Sequence, residues 1–71
     1  MIFALTLRMR LCERKMDVRD LAEKAAIPKT TLYRKMNNPR TMTLIDLAKI
    51  RSALRLTPTE LDELTALAEK D

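Results

Sequence analysis

The sequence predicts an all-α fold, a compact bundle of five helices, and three observations support this. The chain has 71 residues, 46% of them hydrophobic, so it can bury one modest core, and we expect a single domain over residues 1–71. Its apolar residues are mainly aliphatic, with one Phe, one Tyr and no Trp, which favours helices over an aromatic-rich sheet. Glycine is absent, which excludes glycine-dependent phosphate loops and Asn-Gly hairpin turns.

The first segment fits two patterns. Phe3, Leu7 and Leu11 recur every four residues, as on one face of a helix, whereas apolar and polar residues alternate from Leu5 to Leu11, as in a strand. We predict a helix over about residues 5–14, because residues 13–15 are good helix formers and the chain offers no partner strand. The alternative is a strand over residues 2–7 that pairs with a second subunit.

The second and third helices are bounded by capping residues and proline. Asp17 is placed to cap a helix that runs to about Ala26. Its inward stripe is Val18, Leu21, Ala22 and Ala25. Pro28 then breaks the chain and suits the start of a third helix, over about residues 28–37. We expect this helix to end at residues 37–39, Asn-Asn-Pro, through a left-handed Asn, and a short basic loop to follow over residues 40–42.

The last two helices have the clearest starts. Thr43 with Asp46, and Thr57 with Glu60, have the three-residue spacing of a capping box, and Pro58 follows Thr57 at the first helical position. We therefore predict helices over about residues 44–54 and from residue 58 onward. The apolar-periodic positions are Leu44, Leu47, Ala48 and Leu54 in the fourth helix and Leu61, Leu64, Thr65 and Ala68 in the fifth.

Few catalytic or metal-binding side chains are present. The chain has no His and a single cysteine, Cys12, so neither a disulfide framework nor an ordinary zinc site is expected. Cys12 lies in an apolar-periodic stretch and is expected to be a small core residue. We expect no enzyme activity and no cofactor. The apolar start is followed at once by Arg8 and Arg10, unlike a signal peptide or a membrane span, so we expect a cytoplasmic protein with no membrane partner.

Charge is distributed unevenly along the chain. The net charge is +4, yet residues 28–40 contain no acid and four basic side chains, whereas the last fifteen residues contain five acids and one lysine. In the third helix, Leu32 and Met36 mark a core-facing edge. The opposite face would carry Lys29, Thr30, Tyr33, Arg34 and Asn37. Such a face suits phosphates and base edges of DNA, although an ordinary solvated face has the same pattern.

Residues 17–37 resemble the helix-turn-helix of the phage repressor and Cro (XRE-like) family. The resemblance rests on Leu21-Ala22 in the first motif helix, Ile27 in the turn, and Leu32-Tyr33-Arg34 in the second helix. Two positions depart from the family pattern. Ala26 replaces a frequent turn glycine, at a cost of about 1 kcal/mol if the backbone is left-handed there. Val18 replaces a frequent glutamine that reaches a DNA phosphate.

The resemblance implies a transcriptional regulator, phage-borne or bacterial, that binds double-stranded operator DNA in the cytoplasm on the nucleoid. It implies base contacts from the exposed positions of the second motif helix and phosphate contacts from nearby polar residues. The base-contacting candidates are Lys29, Thr30, Tyr33 and Arg34, and the phosphate-contacting candidates are Asn37, Arg40, Arg19 and Lys35. The alternative for Tyr33 is a partly buried ring packed against the second helix.

We expect a homodimer, because one module of this size makes few DNA contacts. Two surfaces are candidates for its interface, Leu64 with Leu67 on the fifth helix, and Ile2 with Phe3 at the start of the chain. The alternative function is a protein-binding module with the same fold, an antirepressor or a phage assembly component, without specific DNA binding.

Overall fold

A computed structural model describes residues 2–70, and this range contains five α-helices and no strand. The helices are α1 (Ile2–Glu13), α2 (Val18–Ala25), α3 (Lys29–Asn37), α4 (Leu44–Leu54) and α5 (Pro58–Lys70). A short 3-10 helix, Pro39–Thr41, joins α3 to α4 where we expected a loop. The predicted all-α, five-helix fold is confirmed. No helix in this range has the length and hydropathy needed to cross a bilayer.

Helix α1 begins three residues earlier than predicted, and the alternative of a strand over residues 2–7 is wrong. Phe3, Leu7 and Leu11, the four-residue repeat, are all buried in the core. Phe3 is the first member of this stripe. The helix must therefore begin before residue 3 for the ring to lie on the same face as Leu7 and Leu11. Cys12 was expected in the core, but it is exposed. It lies about 100° around the helix from Leu11, which occupies the inward position instead.

Three helices begin with a reciprocal capping box; two of these boxes were predicted from the spacing at Thr43 and Thr57, whereas Asp17 was predicted only as an N-cap. In each box the side chain of the first residue accepts from the backbone N–H three residues on, and the acid at that position accepts from the backbone N–H of the first. The pairs are Asp17 with Asp20, at 2.8 and 3.1 Å, Thr43 with Asp46, at 3.0 and 3.0 Å, and Thr57 with Glu60, at 3.2 and 3.0 Å. These boxes fix where α2, α4 and α5 start.

A left-handed residue that is not glycine lies one or two positions after the end of three helices. These residues are Lys15, Ala26 and Arg55, with φ of 56°, 56° and 54°. After each, the next amide donates back to the carbonyl five residues earlier, the six-to-one bond of a Schellman motif. The bonds are Met16 to Leu11 at 2.9 Å, Ile27 to Ala22 at 3.0 Å and Leu56 to Arg51 at 3.1 Å. In a chain without glycine, other residues adopt this conformation at some cost in free energy.

The end of α3 differs from the prediction of a left-handed Asn. Asn37 is the last residue of α3, and Asn38 has φ −137° and ψ 75°, outside the left-handed region. The Asn38 amide donates to the carbonyl oxygens of Arg34 and Lys35 at 3.1 and 3.2 Å. The chain then turns directly into the 3-10 helix, so no left-handed residue is required.

Helix α4 is rotated relative to the predicted stripe. Leu47 and Leu54 are buried as expected, but Leu44 is 84% exposed and Ala48 is also exposed, while Ile50 belongs to the core. The buried residues of α4 are Asp46, Leu47, Ile50 and Leu54. On a helix these positions cover an arc of about 100°. The stripe therefore includes the carboxylate of Asp46, which a search for apolar residues does not find.

Both predicted dimer surfaces contain core residues. Phe3 and Leu64 are buried, and Leu67 is half-buried and packs against the core. Ile2 alone among the four is exposed. Helix α5 packs against α1, which covers the side of α5 on which Leu64 lies. Neither predicted surface is therefore a contiguous exposed apolar patch, and both predictions of a dimer surface are wrong in this respect.

Candidate nucleic-acid interface

Helices α2 and α3 and the turn between them form a helix-turn-helix. Ala22 and Ala25 are buried on α2, and their small side chains allow α3 to approach closely. Ile27, in the turn, and Leu32, on α3, are buried beneath the crossing. Ala26 adopts the left-handed conformation, with φ 56° and ψ 41°, where the family frequently has glycine. The turn geometry is therefore kept without glycine.

Helix α3 presents a polar face to solvent. Five of its residues are exposed, Lys29, Thr30, Tyr33, Arg34 and Asn37. At 100° per residue they lie within an arc of about 140°, and the buried Leu32 and Met36 lie outside this arc. The sequence-predicted base-contacting set thus shares one exposed face. No acid occurs on this helix, so the face carries hydrogen-bond donors and positive charge.

Tyr33 belongs to this face. The residue is 39% exposed, so its ring is partly covered by the protein, as the alternative of a partly buried ring against α2 also requires. A half-covered ring with an accessible hydroxyl can donate to a phosphate or a base edge while its apolar edge stays on the protein. Tyr33 therefore remains a candidate contact.

The predicted phosphate-contacting residues are spread over three elements. Arg19 is exposed in the first turn of α2, Asn37 at the end of α3, and Arg40 in the 3-10 helix. The start of α3 has Pro28 at its cap and no side chain bonded there. The amides of its first turn therefore lack a side-chain acceptor, and helix N-termini in this condition bind anions.

Lys35 differs from the other basic residues of this region. Its ammonium pairs with the carboxylate of Asp46 on α4, and the two side chains are only 16% and 11% exposed. Burial alone would raise the pKa of Asp46, but the hydrogen bonds from Lys35 and Thr43 outweigh it, so this pKa lies below its ordinary value. Lys35 is therefore engaged within the protein, on the flank of the exposed face.

Ion pairs elsewhere join α1 to α5. Arg10 of α1 bonds to Glu63 of α5 at 3.1 Å, and Arg14 bonds to Glu60 at 3.1 Å. The acids of the C-terminal helix thus compensate the basic end of α1. Within residues 2–70, none of Lys29, Arg34, Arg40 and Arg19 forms an ion pair. The uncompensated positive charge includes α3 and the 3-10 helix that follows it.

Two residues around the site were understood only partly from the sequence. Asp46 was recognised as a capping acid, but its partnership with Lys35 has no sequence signal, because the residues are eleven apart in different helices. Val18 is only 3% exposed and packs in the core, so the position where the family frequently has a phosphate-reaching glutamine offers no polar group here.

The family comparison agrees with this geometry. The model of the Cro/C1-type HTH DNA-binding domain matches residues 6–66, which include all of α2, α3 and α4 and most of α1 and α5. No curated protein and no solved structure matches the chain. Helices α2 and α3 form a helix-turn-helix with an exposed basic face on α3, and the family model matches most of the chain. This chain therefore belongs to the Cro/C1-type helix-turn-helix DNA-binding family.

Proposed function

We propose that this DNA-binding protein is a transcriptional regulator of the phage or bacterial repressor kind, and that α3 enters the major groove of a specific operator. The observation that carries the proposal is the acid-free, exposed face of α3. A major groove admits one α-helix, and its base edges are recognised by donors and small apolar groups of the kind found on this face.

Each residue of the face has a role set by its chemistry. Arg34 has the planar fork that donates two hydrogen bonds to guanine, and Lys29 can contact guanine or a phosphate. Thr30 can place its methyl group against thymine, and Tyr33 can donate its hydroxyl to a base or to the backbone. These four are the proposed base contacts.

The proposed phosphate contacts surround this set. Arg40 and Asn37 follow it in the chain, and Arg19 lies at the start of the neighbouring helix. Such contacts fix the register of a protein on DNA without distinguishing sequences, and they make the affinity depend on salt. This division between base and phosphate contacts is what mutagenesis can separate.

We further propose that the chain acts as a homodimer on the nucleoid, in the cytoplasm. One helix-turn-helix contacts only a few base pairs, whereas two copies, one DNA turn or about 34 Å apart, select a near-palindromic site.

Selection of bound duplexes from a random pool tests the proposal. We expect an enriched motif made of two inverted half-sites, with centres about 10 base pairs apart. Enrichment of a single half-site would contradict binding as a dimer but would still support sequence-specific DNA binding. If no sequence is enriched even at low salt, sequence-specific binding is contradicted.

The second candidate is a protein-binding module with this fold, and the buried Val18 favours it, since that position lacks a phosphate-reaching group. A salt titration with random duplex DNA separates the two. DNA binding falls steeply as salt rises, because each neutralised phosphate releases counterions. Absence of any binding at low salt would support the protein-binding module.

A further inference from the structure

Among residues 2–70, one charged pair links α3 to α4. We propose that the pair formed by Lys35 and Asp46 sets the orientation of α3, so that Lys35 controls sequence discrimination without contacting DNA. This inference rests on the proposed function. It reverses the sequence-based expectation that Lys35 contacts a phosphate.

Asp46 uses one carboxylate oxygen for two purposes. Its Oδ2 accepts the Lys35 ammonium and also the backbone N–H of Thr43, at 3.0 Å, while its own N–H donates to Thr43 Oγ1 at 3.0 Å. The capping box holds the carboxylate at a fixed position at the start of α4. Lys35 therefore bonds to a preorganised acceptor, which restricts where its own helix can lie.

The pair joins two helices that otherwise make few direct contacts. Helix α3 packs mainly against α2, α1 and the 3-10 helix, while α4 packs mainly against α2 and α5. A link between α3 and α4 thus adds a restraint that α2 alone does not provide. Both side chains are largely shielded from solvent, so the pair is screened less by salt than a surface pair.

The position of Lys35 on α3 connects this restraint to the base contacts. Residue 35 lies about 100° around the helix axis from Arg34. Along the axis it is only two residues, about 3 Å, from Tyr33 and from Asn37. Holding Lys35 toward α4 fixes the rotation of α3 about its own axis, and with it the direction in which Arg34 projects. Hydrogen bonds to base edges tolerate only small errors in such direction, whereas phosphate contacts from long side chains tolerate more.

Two neutralising variants test this inference. Lys35→Met removes the charge and keeps the length of the side chain, and Asp46→Asn keeps an oxygen for the Thr43 amide. The matched controls are Lys24→Met, at an exposed lysine on α2, and Asp20→Asn, at the corresponding acid of the α2 capping box. Each protein is titrated with its selected duplex and with random duplex over a series of salt concentrations.

We expect Lys35→Met to lower the ratio of specific to random affinity by about tenfold, with an unchanged slope of log affinity against log salt. If Lys35 contacted a phosphate, the variant would instead reduce the magnitude of that slope by about 0.9 and weaken binding to both duplexes alike. This second result would overturn the inference.

Asp46→Asn gives the sharper contrast. Removing an acid should strengthen binding to a polyanion, as expected for Asp20→Asn, yet loss of the link should lower discrimination. The double variant should be no worse than the worse single variant, because both act on one pair. Unchanged discrimination in Asp46→Asn, or additive losses in the double variant, would contradict the proposal.

Circular dichroism establishes that each variant is folded at the titration temperature. If Lys35→Met does not fold, Asp46→Asn carries the test with Lys35→Arg, which keeps a cation and should retain discrimination. The wild-type protein separates this inference from the function on which it rests. If the wild type binds no duplex at low salt, the proposed function fails; if it binds and Lys35→Met lowers the salt slope, only the positioning role fails.

Discussion

Arg14 donates a hydrogen bond from Nε to the carbonyl oxygen of Leu54 at 2.6 Å, which joins the chain after α1 to the end of α4. Its Nη2 also donates to Glu60 of α5 at 3.1 Å, and its Nη1 to the carbonyl of Arg10 at 3.0 Å. One guanidinium therefore holds three helix ends on the side of the ion pairs between α1 and α5. It contributes to the scaffold and not to the candidate interface.

Replacing Arg14 should weaken the fold and leave DNA recognition unchanged. We expect Arg14→Met to lower the free energy of unfolding by about 1.5–3 kcal/mol, the range for hydrogen bonds that involve a charged group, in urea titrations followed by circular dichroism. Arg8→Met is the control, because Arg8 is an exposed arginine on α1. Equal effects of the two substitutions would contradict the role given to Arg14.

Replacing Ala26 with glycine should stabilise the folded protein. Ala26→Gly removes the steric cost of the left-handed backbone, and we expect the free energy of unfolding to rise by about 0.5–1 kcal/mol, less whatever the added freedom of the unfolded chain offsets. Ala48→Gly, at an exposed position inside α4, should lower it by about 1 kcal/mol. Melting curves of both variants measure the sign. A loss at both positions would contradict the steric cost assigned to the left-handed Ala26.

Stability should fall in acid partly through Asp46. Its pKa lies below the ordinary value of 3.8, so the unfolded chain takes up this proton first as pH falls. The contribution is present at neutral pH and is lost as pH falls from about 5 through the folded pKa. In urea titrations from pH 7 to pH 2.5, wild type should lose its advantage over Asp46→Asn. A difference independent of pH would contradict this assignment.

Local sequence signals predicted much of the fold. The capping boxes at Thr43 and Thr57 and the N-cap at Asp17 depend on residues close in the chain, so they could be recognised without knowledge of the packing. The four-residue repeat of Phe3, Leu7 and Leu11 was likewise sufficient to identify the buried side of α1. Such short-range patterns are set by helix geometry alone.

Features that depend on how helices pack were predicted less well. Cys12 and Leu44 fit apolar patterns yet are exposed, because the rotation of each helix is decided by its neighbours. Phe3 and Leu64 were predicted to lie on a dimer surface, but both are buried in the core, where α1 packs against α5. For the candidate interface, the sequence identified the exposed face of α3, but the partner of Lys35 is defined only by the tertiary arrangement that brings it to Asp46 on α4.

Arg40 should contribute affinity without selectivity. It is exposed just beyond α3 and forms no ion pair within residues 2–70, so we propose that it contacts a phosphate. Arg40→Ala should weaken selected and random duplexes by similar factors and reduce the salt slope by about 1. Titrations at several salt concentrations measure both quantities. A loss confined to the selected duplex would make Arg40 a base contact instead.

The central claim is that α3 recognises base edges, and Arg34→Ala tests it most directly. The measurement is the ratio of affinities for the selected duplex and for a random duplex at one salt concentration, for wild type and variant. We expect the variant to lose about 1–3 kcal/mol of specific binding and to relax selectivity at one position of each half-site, because the bidentate contact to guanine is removed. An unchanged ratio would contradict the claim that Arg34 and the face around it contact the bases.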